Sequence, residues 1–396
     1  MVSVPEATSI ILSRLFQPKI TKINLNECLG KILAEPIVAD RDFPPFDRAT
    51  MDGIALAFDS YQNGVTNFKI ESIQAAGEPR KKLNSSSFCI EIMTGAMLPD
   101  GTDTIIPYEQ IEIRNEYATI NTKQVVKGQN IHLQGSDAKK NNQLLETGTV
   151  ISPAEIALLA SIGKTSVPVV SAPKIVIIST GNELIDIDQI PAPHQIRKSN
   201  SYALQAALAE LGMASELLHL ADDLEQLKTE TKQALLDFDV LLLSGGVSKG
   251  KFDFVPSVLE SLGVHKLFHQ VSQKPGKPMW VGTLGNKFVF ALPGNPVSTF
   301  LCFHRYVRPW LLLSLGTKPV TSKAILSKDF VFKGGITYFL QVKLANMDGR
   351  LMANPIVGGG SGDFVNLKDV DGFLELPSEK SSFNEGEAYP FIPFRS

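Results

Sequence analysis

Cysteine is scarce in this chain, and so is histidine. The three cysteines among 396 residues, Cys28, Cys89 and Cys302, share no CxxC spacing and leave an odd count. That excludes a disulfide framework and reads as reduced core thiols in a cytoplasmic protein. None of the six histidines stands at metal-ligand spacing, which argues against a dedicated zinc site. Charge of one sign is missing too: 38 Lys and Arg against 41 Asp and Glu leave a net charge of −3. No basic field exists to draw nucleic acid, so a bound anion must be held by local placement of groups. Long hydrophobic runs are absent; KIVIIS and DVLLLS are far too short to span a bilayer, and no membrane partner is expected. The opening MVSVPEATSIILSRLF lacks the basic start and cleavage site of a secretory signal. No internal repeat or low-complexity segment interrupts the chain.

What is there is a globular composition, 43% hydrophobic and 20% charged, on a length that predicts roughly two to four domains. In residues 4–40, Ala7, Ile10, Ile11 and Leu15 are helix-spaced, with Pro5 suited to a first turn. Asn24, with Glu27 three residues on, predicts a second short helix through Leu33. From Phe43 to Lys140 the text turns to short β-type runs broken by Gly, Pro, Asn and Asp, a β-rich insertion. The helical SPAEIALLASIG, ending at Gly163, is expected to rejoin the N-terminal helices. Residues 171–316 alternate strand and helix, which implies a doubly wound, mostly parallel sheet with helices on both faces. The tail is β again, with a hairpin turn at Asp348-Gly349 and a small sandwich or barrel expected. The fold class is therefore multidomain α/β plus β. Its domains are expected at 1–42 with 141–170, 43–140, 171–318 and 319–396.

Candidate chemistry sits in loops that follow strand-like runs, where doubly wound sheets bind ligands. SGGVSKGKFD spells G-x-x-x-x-G-K from Gly245, but Phe252 stands where a P-loop needs a hydroxyl for Mg²⁺. The glycine pair Gly245 and Gly246, with Ser248, still lets backbone N–H groups close on phosphate oxygens. Asp253 is a capping carboxylate or a metal ligand. In QKPGKP, Lys274 and Lys277 flank a Pro-Gly turn stiffened by two prolines, an anion receiver or an ordinary solvated loop. STGNEL carries Glu183, and HLADDLEQ carries Asp222 and Asp223, where helix caps are the simpler reading. ALPGNPVS has Pro293 and Pro296 about a Gly-Asn pair, a rigid wall or a turn into a helix. In the insertion, FPPFDRATMDGIA carries Asp52 and IMTGAMLPDG carries Thr94, for which a turn at Asp52-Gly53 and a hydroxyl before a glycine suffice.

Together and in this order, DFPPFDRATMDGIA, AAGEP, IMTGAMLPDGTDTIIPYE, GQNIHLQGSD, STGNEL, IRKSNSYAL, SGGVSKGKFD, KPGKP and ALPGNPVS resemble the molybdopterin molybdenumtransferases. This is the MoeA family, to which the E domains of gephyrin and its plant counterpart also belong. The resemblance runs through almost the whole chain. It implies a central domain of the molybdopterin-binding type and insertion of molybdate into adenylylated molybdopterin with release of AMP. It also implies a homodimer whose cleft lies between the α/β domain of one subunit and the insertion of the other, with molybdopterin adenylyltransferase as the upstream partner.

Carried over position by position, the resemblance makes Asp52, Asp137, Glu183, Asp223 and Asp253 functional carboxylates and Thr94 a functional hydroxyl. It implies Mg²⁺ on Glu183, Asp223 and Asp253. Gly245, Gly246 and Ser248 would hold the phosphate end of the pterin, and Lys274, Lys277 and Ser361 the molybdate. Two departures stand out. Ile336 and Gln341 occupy positions where family arginines contact molybdate, which removes a bidentate oxyanion partner and leaves Lys343 as a substitute. Lys198 stands where Asp or Asn is usual and brings a cation that could offset the loss. Two other functions remain open: a pterin-binding scaffold of the same fold that no longer inserts metal, and a nucleotide pyrophosphatase.

Overall fold

Ser3 and Glu6 start the first helix, Val4–Leu12, by capping each other: the Ser3 N–H donates to Glu6 Oε2 at 2.7 Å, and Ser3 Oγ accepts from the Glu6 N–H at 3.3 Å. Its buried face is Val4, Ala7 and Ile11; of the predicted set Ala7 and Ile11 are buried in it, Ile10 is half-buried, and Leu15 lies past its end. The second helix expected from Asn24 to Leu33 does not form. Leu25–Glu27 is a single 3₁₀ turn without an Asn24 side-chain cap. Gly30 then reverses the chain at φ +73°, and the Leu33 N–H goes to Thr149 O at 2.9 Å, which spends helical donors on a neighbouring segment. The preceding residues Ile20–Asn24 are a strand, antiparallel to Ser166–Val170.

The computed structural model describes residues 1–247, 253–317 and 321–395. The chain divides into two units: Met1–Ala34 with Gly148–Ser152 and Ser166–Ser396, and Glu35–Thr147 with Pro153–Thr165. The helix Pro153–Ser161 thus falls with the second unit, while the strands on either side of the insertion tie the N-terminal segment to the first. Among the described residues, no helix is long and apolar enough to cross a membrane.

The second unit holds a six-stranded mixed sheet in the order Thr104–Pro107, Gly53–Leu56, Phe88–Ile92, Asn67–Gln74, Tyr117–Ile120, Ile111–Arg114. Ile54, Leu56, Phe68, Cys89 and Ile106 pack on one side of it. Gly53 is not the turn residue that Asp52-Gly53 suggests. It begins a central strand, and a Cβ there would lie 2.0 Å from Ile106 O and 2.8 Å from Pro107 Cα, both main chain. Glycine is required because two backbones approach too closely for any side chain. Gly53→Ala is expected to destabilise the unit by about 3 kcal/mol in urea unfolding; a loss below about 0.5 kcal/mol would mean the strands separate freely there.

In the first unit, the central sheet runs Ser215–Leu220, Ile175–Thr180, Val240–Ser244, Lys287–Leu292, Trp280–Leu284, His265–His269. The first four strands are parallel, and the last two are added antiparallel. The period of two sorts its side chains into two cores. Ile175, Ile177, Val240, Leu242, Phe288 and Phe290 join a core with helix Ser199–Glu210 and with residues 296–314. Val176, Ile178, Leu241, Leu243 and Val289 join another with helices Leu224–Asp237 and Val255–Ser261. Helices therefore cover both faces, as the alternation of elements predicts. Residues 296–314 form one continuous helical run, wound as a π-turn over Phe303–Val307 between Pro296–Cys302 and Arg308–Ser314.

The C-terminal part is a closed five-stranded barrel rather than a sandwich. Strand Thr337–Met347 pairs with Arg350–Pro355 through the expected hairpin, with Asp348 at φ +50° and Gly349 at φ +80°. The same strand also pairs with Gly372–Leu376, and Ser322–Leu326 and Ala388–Pro393 complete the ring. One further short strand, Gln273–Lys274, lies parallel to Thr337–Tyr338 and extends the barrel wall with residues of the KPGKP turn.

Candidate functional site

The carboxyl ends of the parallel strands release three loops side by side, because the strands stop in register: Ser179 lies opposite Ser244, and Ser244 opposite Leu292. Beside them a cavity of about 660 Å³ opens, walled on its other side by the barrel. Gly245 (φ +104°) and Gly246 (φ +66°) form its floor. A Cβ on Gly245 would stand 2.8 Å from Thr180 O, and one on Gly246 2.7 Å from Val255 Cγ2, so both positions exclude side chains. Beside them Thr180 Oγ1 is buried without a hydrogen-bond partner among the described residues. A bare main-chain floor beside an unsatisfied hydroxyl suits a ligand oxygen.

Lys274 and Lys277 line the same cavity, and both side chains are exposed. The turn that carries them contains a cis Lys274-Pro275 bond. Neither ammonium makes an ion pair with a described residue; Lys274 Nζ lies 5.7 Å from the Phe332 ring. Glu183 and Asp253 line the cavity too, and the Glu183 carboxylate is folded close over Gly181. Glu183 leads into the short strand Leu184–Ile185, not into a helix, so a helix-start role does not explain it. Of the aspartate pair, Asp222 lines the cavity. Asp223 instead caps helix Leu224–Asp237, accepting the Gln226 N–H at 2.8 Å. Both stand at one strand-to-helix junction, and only the cap geometry separates them.

Pro293 is in the wall, whereas Pro296 is the first residue of a helix. Ser361 lines the cavity from the barrel side, and its Oγ accepts from Asn295 Nδ2 at 2.8 Å. Ser248 lies outside the described residues. Ile336 and Gln341 both face the cavity, and Gln341 Oε1 accepts from Asn366 Nδ2 at 2.9 Å. Neither proposed substitute for the arginines is found there. Lys343 points to Asp371 at 3.9 Å and is not in the wall. Lys198 is largely buried against Asp186 at 2.5 Å, its charge neutralised. The wall also contains a buried Gln273, which the two conspicuous lysines beside it overshadow in the sequence, and the aromatic rings of Phe330 and Tyr338.

Three predicted residues belong to the second unit. Thr94 gives both its backbone N–H and its hydroxyl to Asp52 Oδ1, at 2.6 and 2.7 Å. Those two bonds hold the Asp52 carboxyl below its ordinary range, so it stays an anion in mildly acidic solution. Asp137 accepts from His132 Nε2 at 2.8 Å, and His132 Nδ1 accepts from Arg48 Nη2 at 3.1 Å. Among the described residues, no three His, Cys, Asp or Glu side chains are placed to enclose a metal ion by themselves.

A doubly wound sheet, a glycine floor at its carboxyl edge and a lysine turn beside a barrel define an α/β protein with a candidate site for anionic ligands. Family models for the MoeA N-terminal region (domains I and II), a probable molybdopterin binding domain and the MoeA C-terminal region (domain IV) match residues 2–163, 176–312 and 323–394. A molybdopterin molybdenumtransferase of Synechocystis sp. is 42% identical, covering 99% of each chain, and that of Bacillus subtilis is 32% identical over 100% of this chain and 94% of its own. The crystal structure of a molybdopterin biosynthesis MoeA protein from Pyrococcus horikoshii superposes with a TM-score of 0.85 at 33% identity, covering both chains completely. The chain belongs to the MoeA family of molybdopterin molybdenumtransferases.

Proposed function

We propose that this protein inserts molybdenum into adenylylated molybdopterin in molybdenum-cofactor synthesis, consuming molybdate and releasing AMP. The observation that carries the reading is the pairing of Lys274 and Lys277 with the Gly245-Gly246 floor in one cavity, in a chain 42% identical end to end to a molybdopterin molybdenumtransferase. The floor receives the phosphate end of the pterin ligand through main-chain N–H groups, and the lysines receive the molybdate. Two ammonium groups on one short turn can face two oxygens of a tetrahedral dianion, and the pterin is brought beside it. Proximity then replaces an encounter in solution.

Mg²⁺ belongs to this proposal. An all-carboxylate donor set suits a hard cation, and Mg²⁺ is commonly held by one or two carboxylates completed by substrate phosphate oxygens and water. One or two of Glu183, Asp253 and Asp222 (the last in place of Asp223) would hold it, and it would neutralise charge on the departing AMP. Asp52, kept ionised by Thr94, orients the attacking oxygen. We assign these two residues to the cavity of a second copy of the chain, which makes the active form a homodimer. A molybdopterin adenylyltransferase supplies the substrate.

The test adds purified protein to adenylylated molybdopterin, Mg²⁺ and molybdate, and follows AMP release alongside molybdenum incorporation. Both are expected to rise together and to require Mg²⁺ and molybdate. AMP release that ignores the oxyanion would instead make the protein a pyrophosphatase; tight pterin binding without release would make it a scaffold.

A further inference from the structure

The lysine turn stands on a buried polar pair. Gln273 is 1% exposed and Tyr306 2%. The Tyr306 hydroxyl donates to Gln273 Oε1, and that bond fixes which end of the carboxamide faces the turn. Gln273 Nε2 then donates to Pro275 O at 3.1 Å and to Gly276 O at 3.3 Å. Gly276 is pressed onto this support: a Cβ there would lie 2.7 Å from Gln273 Nε2 and 2.7 Å from Cys302 Sγ. The middle of the turn is thus buried and bonded from below, while the lysines on either side of it are exposed to the cavity.

Tyr306 is delivered by the π-turn Phe303–Val307, a widened helical turn of a kind frequent at functional sites. The neighbouring Arg305 anchors the same turn to the barrel through Glu375, at 2.6 Å from Nε and 3.3 Å from Nη2. On its other side the lysine turn is pinned by strand pairing, Gln273 opposite Thr337 and Lys274 opposite Tyr338. An apolar side chain could fill the Gln273 site without burying a carboxamide. The amide is the costlier occupant unless its bonds are needed. What those bonds determine is the direction of the two carbonyls between the lysines.

We propose that Gln273, oriented by Tyr306, is a positioning residue that sets the spacing of Lys274 and Lys277 for a single tetrahedral oxyanion. The proposal rests on the reading of this turn as the molybdate-receiving end of the cavity. Its test compares wild type, Tyr306→Phe, Gln273→Met and Lys277→Ala in two measurements. One is AMP release against molybdate concentration; the other is equilibrium dialysis of molybdate without pterin. Tyr306→Phe keeps the ring and is expected to raise the molybdate KM and Kd about three- to tenfold. Its kcat should stay within about twofold of wild type, and its KM for adenylylated molybdopterin should not change. Gln273→Met is expected to raise both molybdate constants about tenfold or more. If it fails to fold, Tyr306→Phe decides alone. Unchanged molybdate constants, or a loss confined to kcat, overturn the positioning role while weak binding in Lys277→Ala leaves the oxyanion turn standing. Unchanged binding in Lys277→Ala overturns the reading of the turn, and the proposal with it.

Discussion

Lys277→Ala is expected to lower kcat/KM for molybdate about a hundredfold, and the double change Lys274→Ala/Lys277→Ala to remove measurable turnover. The folded protein should be unaffected. Each ammonium is exposed and free of ion pairs with described residues, so truncation leaves no buried charge without its partner. Surface changes of that kind shift stability by about 0.5 kcal/mol or less. The large effect on turnover follows from what the cavity wall lacks. Ile336 and Gln341 offer no guanidinium, Gln341 is engaged with Asn366, and Lys198 and Lys343 are turned to Asp186 and Asp371. On the proposed reading the oxyanion rests on the two lysines of the turn, and halving that charge removes a charge-assisted bond that no other cation among the described wall residues replaces. Molybdate titrations of AMP release, with thermal unfolding as the control, decide the matter. Wild-type kinetics in Lys277→Ala would place the oxyanion elsewhere.

His304→Leu is expected to make the protein markedly more resistant to acid. The imidazole is 4% exposed, neither ring nitrogen has a partner among the described residues, and Phe300, Phe303 and Phe394 surround it. Burial, aided by the Arg308 charge, pushes its pKa down to about 3. The unfolded chain takes up that proton below about pH 6.5, while the folded chain refuses it until pH is near 3. Stability is therefore complete above about pH 6.5 and lost as pH falls through the window beneath it, at about 1.4 kcal/mol per pH unit. Between pH 7.5 and 4.5 the leucine variant should lose about 2–3 kcal/mol less than wild type in urea unfolding. Equal losses would show that the ring is hydrated or bonded in solution.

The doubly wound domain is legible in the sequence because its signals are local: alternate residues of KIVIIS and DVLLLS enter opposite cores, and the helices between them carry their own periodicity. The glycine floor and lysine turn are legible for the same reason, since chain geometry and charge sit within a few residues. Barrel closure is not legible. It depends on Tyr338–Val342 meeting Gly372–Leu376 across a long connection, and nothing in either segment announces the other. The second helix failed because an Asn-x-x-Glu cap is a weak signal against backbone partners more than a hundred residues away. The Asp222-Asp223 doublet could not be resolved from spacing alone. Lys198 read as a free cation because its partner Asp186 faces it only through the pairing of Leu184–Ile185 with Ile196–Arg197.

The two-residue strand Gln273–Lys274, pairing with the barrel strand Thr337–Met347, makes the last part of the chain more than an appendage. The turn proposed to receive the anion is stitched by main-chain bonds to a module encoded some sixty positions downstream. Such a chain cannot exchange its C-terminal module for an unrelated one and keep its catalytic centre intact. In evolutionary terms, the sheet and the barrel must drift together, the register of one short ladder constraining both.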